Sequence, residues 1–218
     1  MAFDPEHRLV VSVVVGKQSG EHTRLLVEDF HSRTGGRLMN LMTSDENPAY
    51  AEAILEVYGE HYQPRRRGRR GRRPAPRKRP PPGLKYAAVH KTRQHNRVVR
   101  VDRRVIYGTV TAVLAALAVS TVSADVNTVY VERHHGTDRN RNARKVRKSY
   151  CFSKDWQVHE AVTYFTMYSY NFCWPVRTLR QGSRRRGYQQ RTPAMAAGLT
   201  DHVWPLGEWL SLPAVQRC

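Results

Sequence analysis

The stretch 37–59, "RLMNLMTSDENPAYAEAILEVYG", contains the clearest local structural signals in the chain. Its first nine residues have the length and apolar content of a strand that ends at Asp45. A helix is predicted next, because Asn47 suits the N-cap, Pro48 the first helical position and Gly59 the C-terminal stop. The stretch therefore predicts a strand and a helix, with Asp45 at the carboxyl end of the strand.

The segments before this stretch repeat the same order. Residues 8–16, "RLVVSVVVG", form a β-branched run typical of a buried strand, and residues 20–35 have helical spacing that ends near Gly35. Strand, helix, strand and helix in succession predict an α/β layer in which neighbouring strands are parallel.

The second half of the chain continues the mixed pattern. Residues 85–93 and 97–108 are predicted strands, and the second alternates apolar and charged residues as an edge strand would. Residues 109–123, 127–148 and 155–172 are predicted helices, with a strand as the alternative for 109–123, and Thr192 and Pro193 begin a short helix that Gly198 ends. In the helix 155–172, the predicted core face is formed by Val158, Val162, Phe165, Tyr168 and Phe172. The alternative role for the aromatic residues of this helix is to stack on nucleic-acid bases.

Charge indicates the class of partner. The chain has 37 Lys and Arg against 18 Asp and Glu, a net charge of +19, which favours polyanions such as nucleic acid. Residues 64–82, "PRRRGRRGRRPAPRKRPPP", combine ten basic residues with six prolines and predict a disordered linker. This linker is either a solubilising insertion or an arm that neutralises phosphates.

Targeting and redox signals are weak. The N-terminal stretch "MAFDPEHRLV" lacks the pattern of a secretory signal, and no apolar run reaches the roughly 20 residues of a membrane span. We therefore expect a cytoplasmic protein without a membrane partner.

Cys151, Cys173 and Cys218 have no zinc-site spacing and are interpreted as reduced structural cysteines.

Two carboxylates are candidates for chemistry. Asp45 lies where ligands collect in open α/β sheets, and Glu132 precedes a basic segment that contains seven Lys or Arg residues between positions 133 and 148. Each has a simpler interpretation, a turn residue for Asp45 and an ordinary surface charge for Glu132. Together they are typical of phosphoryl transfer, in which carboxylates hold divalent ions that bridge the reacting phosphate.

Four ordered blocks carry a family resemblance. They are "TSDENPAY" (43–50), "VNTVYVERHHGTDRNRNARKVRKSYCFSKDWQVHEA" (126–161), "YNFCWPVRTLR" (170–180) and "TPAMAAGLTDHVW" (192–204). The chain, apart from its Arg/Pro insertion, resembles the catalytic region of bacterial insertion-sequence transposases of the DDE type. The resemblance implies a ribonuclease H-like α/β fold, a mixed sheet flanked by helices.

The resemblance also implies an activity, namely DNA strand cleavage and strand transfer dependent on Mg²⁺ or Mn²⁺. Asp45 matches the second catalytic acid and Glu132 the last, and both would be metal ligands. The family's first acid lies on an opening central strand that we expect to precede Met1, and Asp4 is not assigned that role. A truncated, inactive copy is therefore one expectation.

Further expectations concern partners and domains. Element ends and target DNA are the expected partners, with a homo-oligomer as the active form and a nucleoid location. The predicted core comprises residues 1–63 and 83–180, separated by the linker 64–82 and followed by a tail, 181–218. Predicted DNA contacts are Arg133, Arg139, Arg141, Arg144, Lys145 and Lys148.

Two other classes of function stay open at this point. A non-catalytic nucleic-acid-binding protein would use only the basic linker and the basic helix. A basic structural protein of a ribonucleoprotein would prefer RNA. Neither class depends on Asp45 or Glu132, and this separates both from the transposase.

Overall fold

The computed structural model describes residues 1–65, 73–95, 97–146, 149–183 and 187–212. The strands in chain order are β1 (Ala2–Asp4), β2 (Leu9–Ser12), β3 (Met42–Asp45), β4 (Glu60–Tyr62), β5 (Arg77–Arg79), β6 (Tyr86–Gln94), β7 (Arg97–Tyr107), β8 (Gln181–Ser183) and β9 (Gly187–Gln189). The helices are α1 (Gly20–Arg33), α2 (Pro48–Tyr58), α3 (Val110–Ala118), α4 (Val129–Arg141), α5 (Trp156–Cys173), α6 (Pro193–Ala196) and α7 (Leu206–Ser211). Within these ranges, no helix combines the length and apolar character needed to cross a bilayer.

The chain forms two compact units. One contains residues 16–129, and the other contains residues 1–15 together with 130–218. The predicted linker 64–82 therefore lies inside the first of these units. Its residues 66–72 are outside the described part of the chain.

The unit 16–129 is built around a three-stranded mixed sheet of order β3-β6-β7. Strand β6 is parallel to β3 and antiparallel to β7. Successive residues of a strand point to opposite faces, and accordingly Tyr86 and Ala88 pack in an apolar cluster with α1 and α2. Ala87 and Val89 pack on the other face with α3. Helices thus cover both faces, and the prediction of a mixed α/β fold is confirmed at this level.

Local sequence explains the helix that follows β3. The Asn47 side chain accepts a hydrogen bond from the backbone N–H of Ala49 at 3.0 Å, Pro48 takes the first helical position and Gly59 caps the C-terminus. Strand β3 itself is shorter than predicted, since it covers only Met42–Asp45. It ends at Asp45 as the sequence predicts.

One end of the predicted disordered linker has strand structure. β5 (Arg77–Arg79) pairs antiparallel with β4 (Glu60–Tyr62), and the Lys78 ammonium forms an ion pair with Glu56 of α2 at 2.8 Å. Acidic side chains at the end of α2 and in β4 compensate the like charges of this basic strand. The prediction of disorder is wrong for these three residues, because it considered only repulsion within the linker.

The unit of residues 1–15 and 130–218 is built around α5 and the hairpin β1-β2. Val10 and Val13 pack against Met167 and Tyr170 of α5. Asn171, 4% exposed, also faces β2, and its side chain forms hydrogen bonds with both main-chain groups of Val10. These bonds occupy the groups that a further strand would need, so β1-β2 is a two-stranded sheet of its own. The single mixed sheet expected from sequence is divided among smaller sheets in the described residues.

The core face of α5 differs from the prediction. Val158 is exposed, and Val162, Phe165, Tyr168 and Phe172 are only partly buried. The buried face is formed by Thr163, Met167, Ser169, Tyr170 and Asn171. The predicted stripe was wrong because an apolar pattern overlooks buried polar side chains that bond to the backbone. Thr163, for example, donates to the carbonyl of His159 at 2.7 Å.

Candidate functional site

Asp45 lies at the carboxyl end of β3, where its backbone is in register with Val89 of the parallel strand β6. Its side chain is exposed. Burial, and secondarily the charge of Asp45, raises the pKa of the Tyr50 hydroxyl. The described residues place no Lys or Arg in ion-pair contact with this carboxylate. Asp45 therefore retains oxygen atoms that can bind a cation.

The neighbouring carboxylate of Glu46 is engaged within the protein. It forms an ion pair with the Arg104 guanidinium of β7 at 2.6 Å and another with Nδ1 of His90 in β6. These contacts join the turn after β3 to the two strands beyond it. The sequence-based interpretation of "SDENP" as a simple turn missed this anchor. The two adjacent acids thus have different roles, since Glu46 is bound and Asp45 is left accessible.

Glu132 lies in the first turn of α4 and is exposed. A carboxylate there interacts favourably with the positive end of the helix dipole. Helical spacing places His135 and Arg139 on the same side, and both are exposed. Asn142 lies beyond the end of α4 and is only 2% exposed. Glu132, His135 and Arg139 therefore share one exposed side of α4.

The opposite face of α4 is buried. His134 packs against the rings of Phe3 and Tyr170, with centroid separations of 5.0 and 4.6 Å. Burial lowers the pKa of His134 to about 4, against a smaller opposing effect of Asp138. His134 is therefore neutral at physiological pH and has a packing role.

Asp138 was missed as a structural acid within the basic segment. Its carboxylate, 5% exposed, accepts a hydrogen bond from the Lys145 ammonium at 2.6 Å and one from the Thr166 hydroxyl of α5 at 3.4 Å. Asp138 follows His134 by one helical turn and therefore shares its face of α4, but the burial of that face is evident only from the structure. Lys145, a predicted DNA contact, is thereby held in an internal ion pair.

Arg141 is also engaged internally. Its guanidinium lies over the ring of Tyr170 at 4.9 Å and over that of Trp174 at 4.3 Å. Burial lowers the pKa of Arg141. Among the described residues, its Nη1 atom is buried without a hydrogen-bond partner. Stacking between two aromatic rings therefore fixes this side chain on the protein.

Of the other four predicted DNA contacts, three are exposed and one lies outside the described residues. Arg133, Arg139 and Arg144 are exposed. Lys148 lies outside the described residues, as does Arg147 beside it. Among the described residues of this helical region, three arginines are therefore exposed, whereas Arg141 and Lys145 are engaged within the protein.

The β6-β7 hairpin is a second basic surface. β3 pairs with Tyr86–Val89, so the rest of the hairpin, residues 90–95 and 97–102, extends beyond it. We call this part the hairpin end. Arg93 and Arg97 are exposed there without a described ion-pair partner, and Arg100 pairs with Asp102 at 2.8 Å. Exposed apolar side chains also lie on the hairpin end: Val98, Val99 and Val101.

The carboxylates suit a hard divalent cation. Mg²⁺ prefers oxygen ligands and is commonly held by one or two carboxylates together with substrate phosphates. Asp45 and Glu132 are exposed oxygen donors of this type, the first in the unit 16–129 and the second in the other unit. No cluster of three or more His, Cys, Asp or Glu residues suited to a metal occurs in the described ranges. The donor chemistry thus fits Mg²⁺ at each carboxylate taken singly.

Comparison with known proteins supplies no relative for this chain. No family model, curated protein or solved structure matches it. The function is therefore inferred from the chain's own residues and their geometry.

Proposed function

We propose that this protein is a DNA transposase of the DDE type, which cleaves and joins DNA strands with Mg²⁺ or Mn²⁺. The observation that carries the proposal is the contrast between Asp45 and Glu46 at the end of β3. Glu46 is bound by Arg104 and His90, whereas Asp45 is exposed and has no described ion-pair partner. A carboxylate left open in so basic a chain is suited to a cation that itself meets phosphate.

Each residue has a defined task in this proposal. Asp45 and Glu132 would each bind a divalent ion through their carboxylate oxygens, and such an ion would supply Lewis-acid stabilisation of the developing phosphate charge. Arg133, Arg139 and Arg144 contact flanking phosphates and position the DNA without reading bases. In cleavage, a water oxygen would bond to phosphorus as the bond from phosphorus to the 3′ oxygen breaks, and the water proton would pass to that oxygen. In strand transfer, the oxygen of this 3′-hydroxyl would bond to a second phosphorus as the bond from that phosphorus to its own 3′ oxygen breaks, and the proton would pass to the released oxygen.

The surrounding structure favours a fixed position for Asp45. β3 is hydrogen-bonded to β6, and α2 begins at a capped N-terminus only two residues after Asp45. The Ser44 hydroxyl is 2.6 Å from the hydroxyl of the buried Tyr86, which anchors the strand one residue earlier. A ligand on such an element keeps its geometry better than one on a loop.

The test is a plasmid-nicking assay with Mg²⁺ or Mn²⁺ using the full chain and the variants Asp45→Asn and Glu132→Gln. We expect each variant to lower metal-dependent nicking by about 100-fold or more while binding to the same DNA persists. Glu28→Gln is the matched control, since this carboxylate of α1 is exposed and forms an ion pair with Arg24 of the same helix at 3.3 Å. Equal nicking by all variants, or no metal-dependent nicking by the full chain, would refute the proposed activity.

A second candidate is a non-catalytic nucleic-acid-binding protein. The hairpin end favours it, because a two-stranded ribbon with exposed Arg93 and Arg97 fits the width of the DNA major groove. This candidate predicts that DNA binding falls on substitution of these arginines and that Asp45→Asn has no effect on any property of the complex. Retention of Mn²⁺ binding in EPR titrations of the full chain and its loss in Asp45→Asn would favour the transposase instead.

Oligomeric state forms part of the proposal. Transposition requires two DNA ends in one complex, so the active form is proposed to be a homo-oligomer in the bacterial nucleoid. Analytical ultracentrifugation, with and without DNA from the ends of the insertion sequence, measures the oligomeric state directly.

A further inference from the structure

An exposed cleft precedes α5 in the unit that contains Glu132. It has a volume of about 320 Å³ and is lined by Arg144, residues 152–156 and His159. This volume is at the lower end of the range of about 300–1,000 Å³ found for small-molecule sites. We call it the aromatic cleft, after its residues Phe152 and Trp156.

The two aromatic rings are unusually accessible. Phe152 is 53% exposed and Trp156 is 57% exposed. Other aromatic residues of the same helix have packing partners, since Phe165 meets Trp209 edge-on and Phe172 lies against Trp204 at 4.7 Å. Large apolar side chains left in water are a recurrent mark of a binding surface.

Basic groups surround these rings. Arg144 is exposed at one side, and the Lys154 ammonium is 6.0 Å from the centroid of the Phe152 ring. His159 lies 5.8 Å from Trp156, ring to ring, and its Nδ1 is 3.0 Å from the Ser153 hydroxyl. This contact orients the imidazole beside the indole.

The acidic residue of the cleft has a local function. The Asp155 carboxylate accepts a hydrogen bond from the backbone N–H of Val158 at 2.8 Å and so caps α5. Its charge is partly compensated by the N-terminal end of the helix dipole. Arg144 and Lys154 are therefore the charges that the cleft offers to a ligand.

We propose that the aromatic cleft binds an unpaired nucleotide of a DNA strand, with the base against Trp156 or Phe152 and the phosphate at Arg144 and Lys154. Aromatic rings stack on any base, and neighbouring cations hold the backbone, as in proteins that bind single strands. A protein partner fits less well, because Lys154 and Asp155 are of residue types that are depleted in the cores of protein interfaces. The inference rests on the proposed function, in that it identifies where a strand opened for cleavage is held.

The test measures binding of a fluorescently labelled oligothymidylate by anisotropy, with EDTA present so that no metal-dependent step contributes. We expect Trp156→Ala to weaken binding by about tenfold, Trp156→Phe to restore most of it, and Arg144→Ala to weaken it in a salt-dependent manner. Tyr188→Ala is the matched control, because Tyr188 is 44% exposed outside the cleft.

Two outcomes would overturn the inference. One is equal oligothymidylate affinity of the Trp156→Ala and Tyr188→Ala variants. The other is concentration-dependent self-association that Trp156→Ala abolishes, which would make the cleft an interface between copies of the chain. Because this assay excludes metal, its failure is separate from a failure of the Asp45 and Glu132 variants to affect nicking.

Discussion

The side chain of Asn171 pairs with the main chain of Val10 as a neighbouring strand would. Its amide oxygen accepts from the Val10 N–H at 3.0 Å and its amide nitrogen donates to the Val10 carbonyl at 2.8 Å. Helix α5 is thereby joined to β2 by polar contacts within an otherwise apolar interface. One side chain satisfies two buried backbone groups that would each be costly to leave unpaired.

Asn171→Ala is expected to lower the free energy of unfolding by about 2–4 kcal/mol, because two buried backbone groups lose their partners. Urea denaturation measures this change. Asn140→Ala, at an exposed position of α4, is the matched control and should change stability by less than about 0.5 kcal/mol. A similar, small effect of both substitutions would mean that water replaces the Asn171 amide.

The ion pair between Asp138 and Lys145 should behave as a buried pair. Their side chains are 5% and 16% exposed, so Asp138→Ala or Lys145→Ala alone is expected to cost about 3 kcal/mol. The double variant should cost less than the sum of the two, because neither charge is then left without its partner. A double-mutant cycle in urea measures the difference, and strict additivity would contradict the pairing.

These contacts show what the sequence could and could not predict. The helix α2 and the position of Asp45 followed from Asn47, Pro48 and Gly59, since capping and helix breaking are local. The Glu46–Arg104 pair joins residues 58 positions apart, and no local pattern indicates which strands bring them together. The sequence therefore predicted the position of Asp45 at the end of its strand, but it did not predict that Glu46 forms an ion pair with Arg104.

The basic segment after Glu132 illustrates the same limit. Charge predicted six DNA contacts in this segment, but the burial of each depends on which face of α4 meets α5. Arg141 and Lys145 are drawn inward by Tyr170 and Asp138, whereas Arg139 stays exposed. The choice is made by tertiary packing, which a helical period does not specify.

His134 should make the protein less stable in acid. Its pKa in the folded state is lowered to about 4 from the model-peptide value of 6.5, so the unfolded state binds more protons between these pH values. The free energy of unfolding therefore falls as pH decreases from 6.5 to 4, by up to about 3 kcal/mol, and this loss is complete below pH 4. Urea denaturation across this range measures the slope.

The matched variants for this effect are His134→Phe and His61→Gln. Phenylalanine retains the aromatic packing against Tyr170 but does not titrate. In the His134→Phe protein, the free energy of unfolding should therefore fall less steeply between pH 6.5 and pH 4. His61 is exposed in β4, and its replacement should leave the slope unchanged. An unaltered slope in His134→Phe would assign the acid sensitivity to other groups.

The hairpin end offers a test of DNA binding that does not depend on catalysis. Arg93→Ala and Arg97→Ala should each weaken binding to duplex DNA of any sequence, because each removes one phosphate contact. Each should also reduce the slope of log affinity against log salt by about 0.9. Arg37 is exposed in the same unit, so Arg37→Ala is the control. This variant should keep the full slope of log affinity against log salt concentration.

Combining these variants with Asp45→Asn separates the two candidate functions. A non-catalytic binder would show the salt effect of Arg93 and Arg97 and no metal dependence at Asp45. The proposed transposase predicts both effects, and they should be independent, because phosphate contacts at the hairpin end position DNA whereas Asp45 acts on the scissile phosphate through a cation. An unchanged salt slope in both arginine variants would remove the hairpin end from the DNA interface, and the exposed arginines of α4 and the segment after it would then be the next surface to substitute.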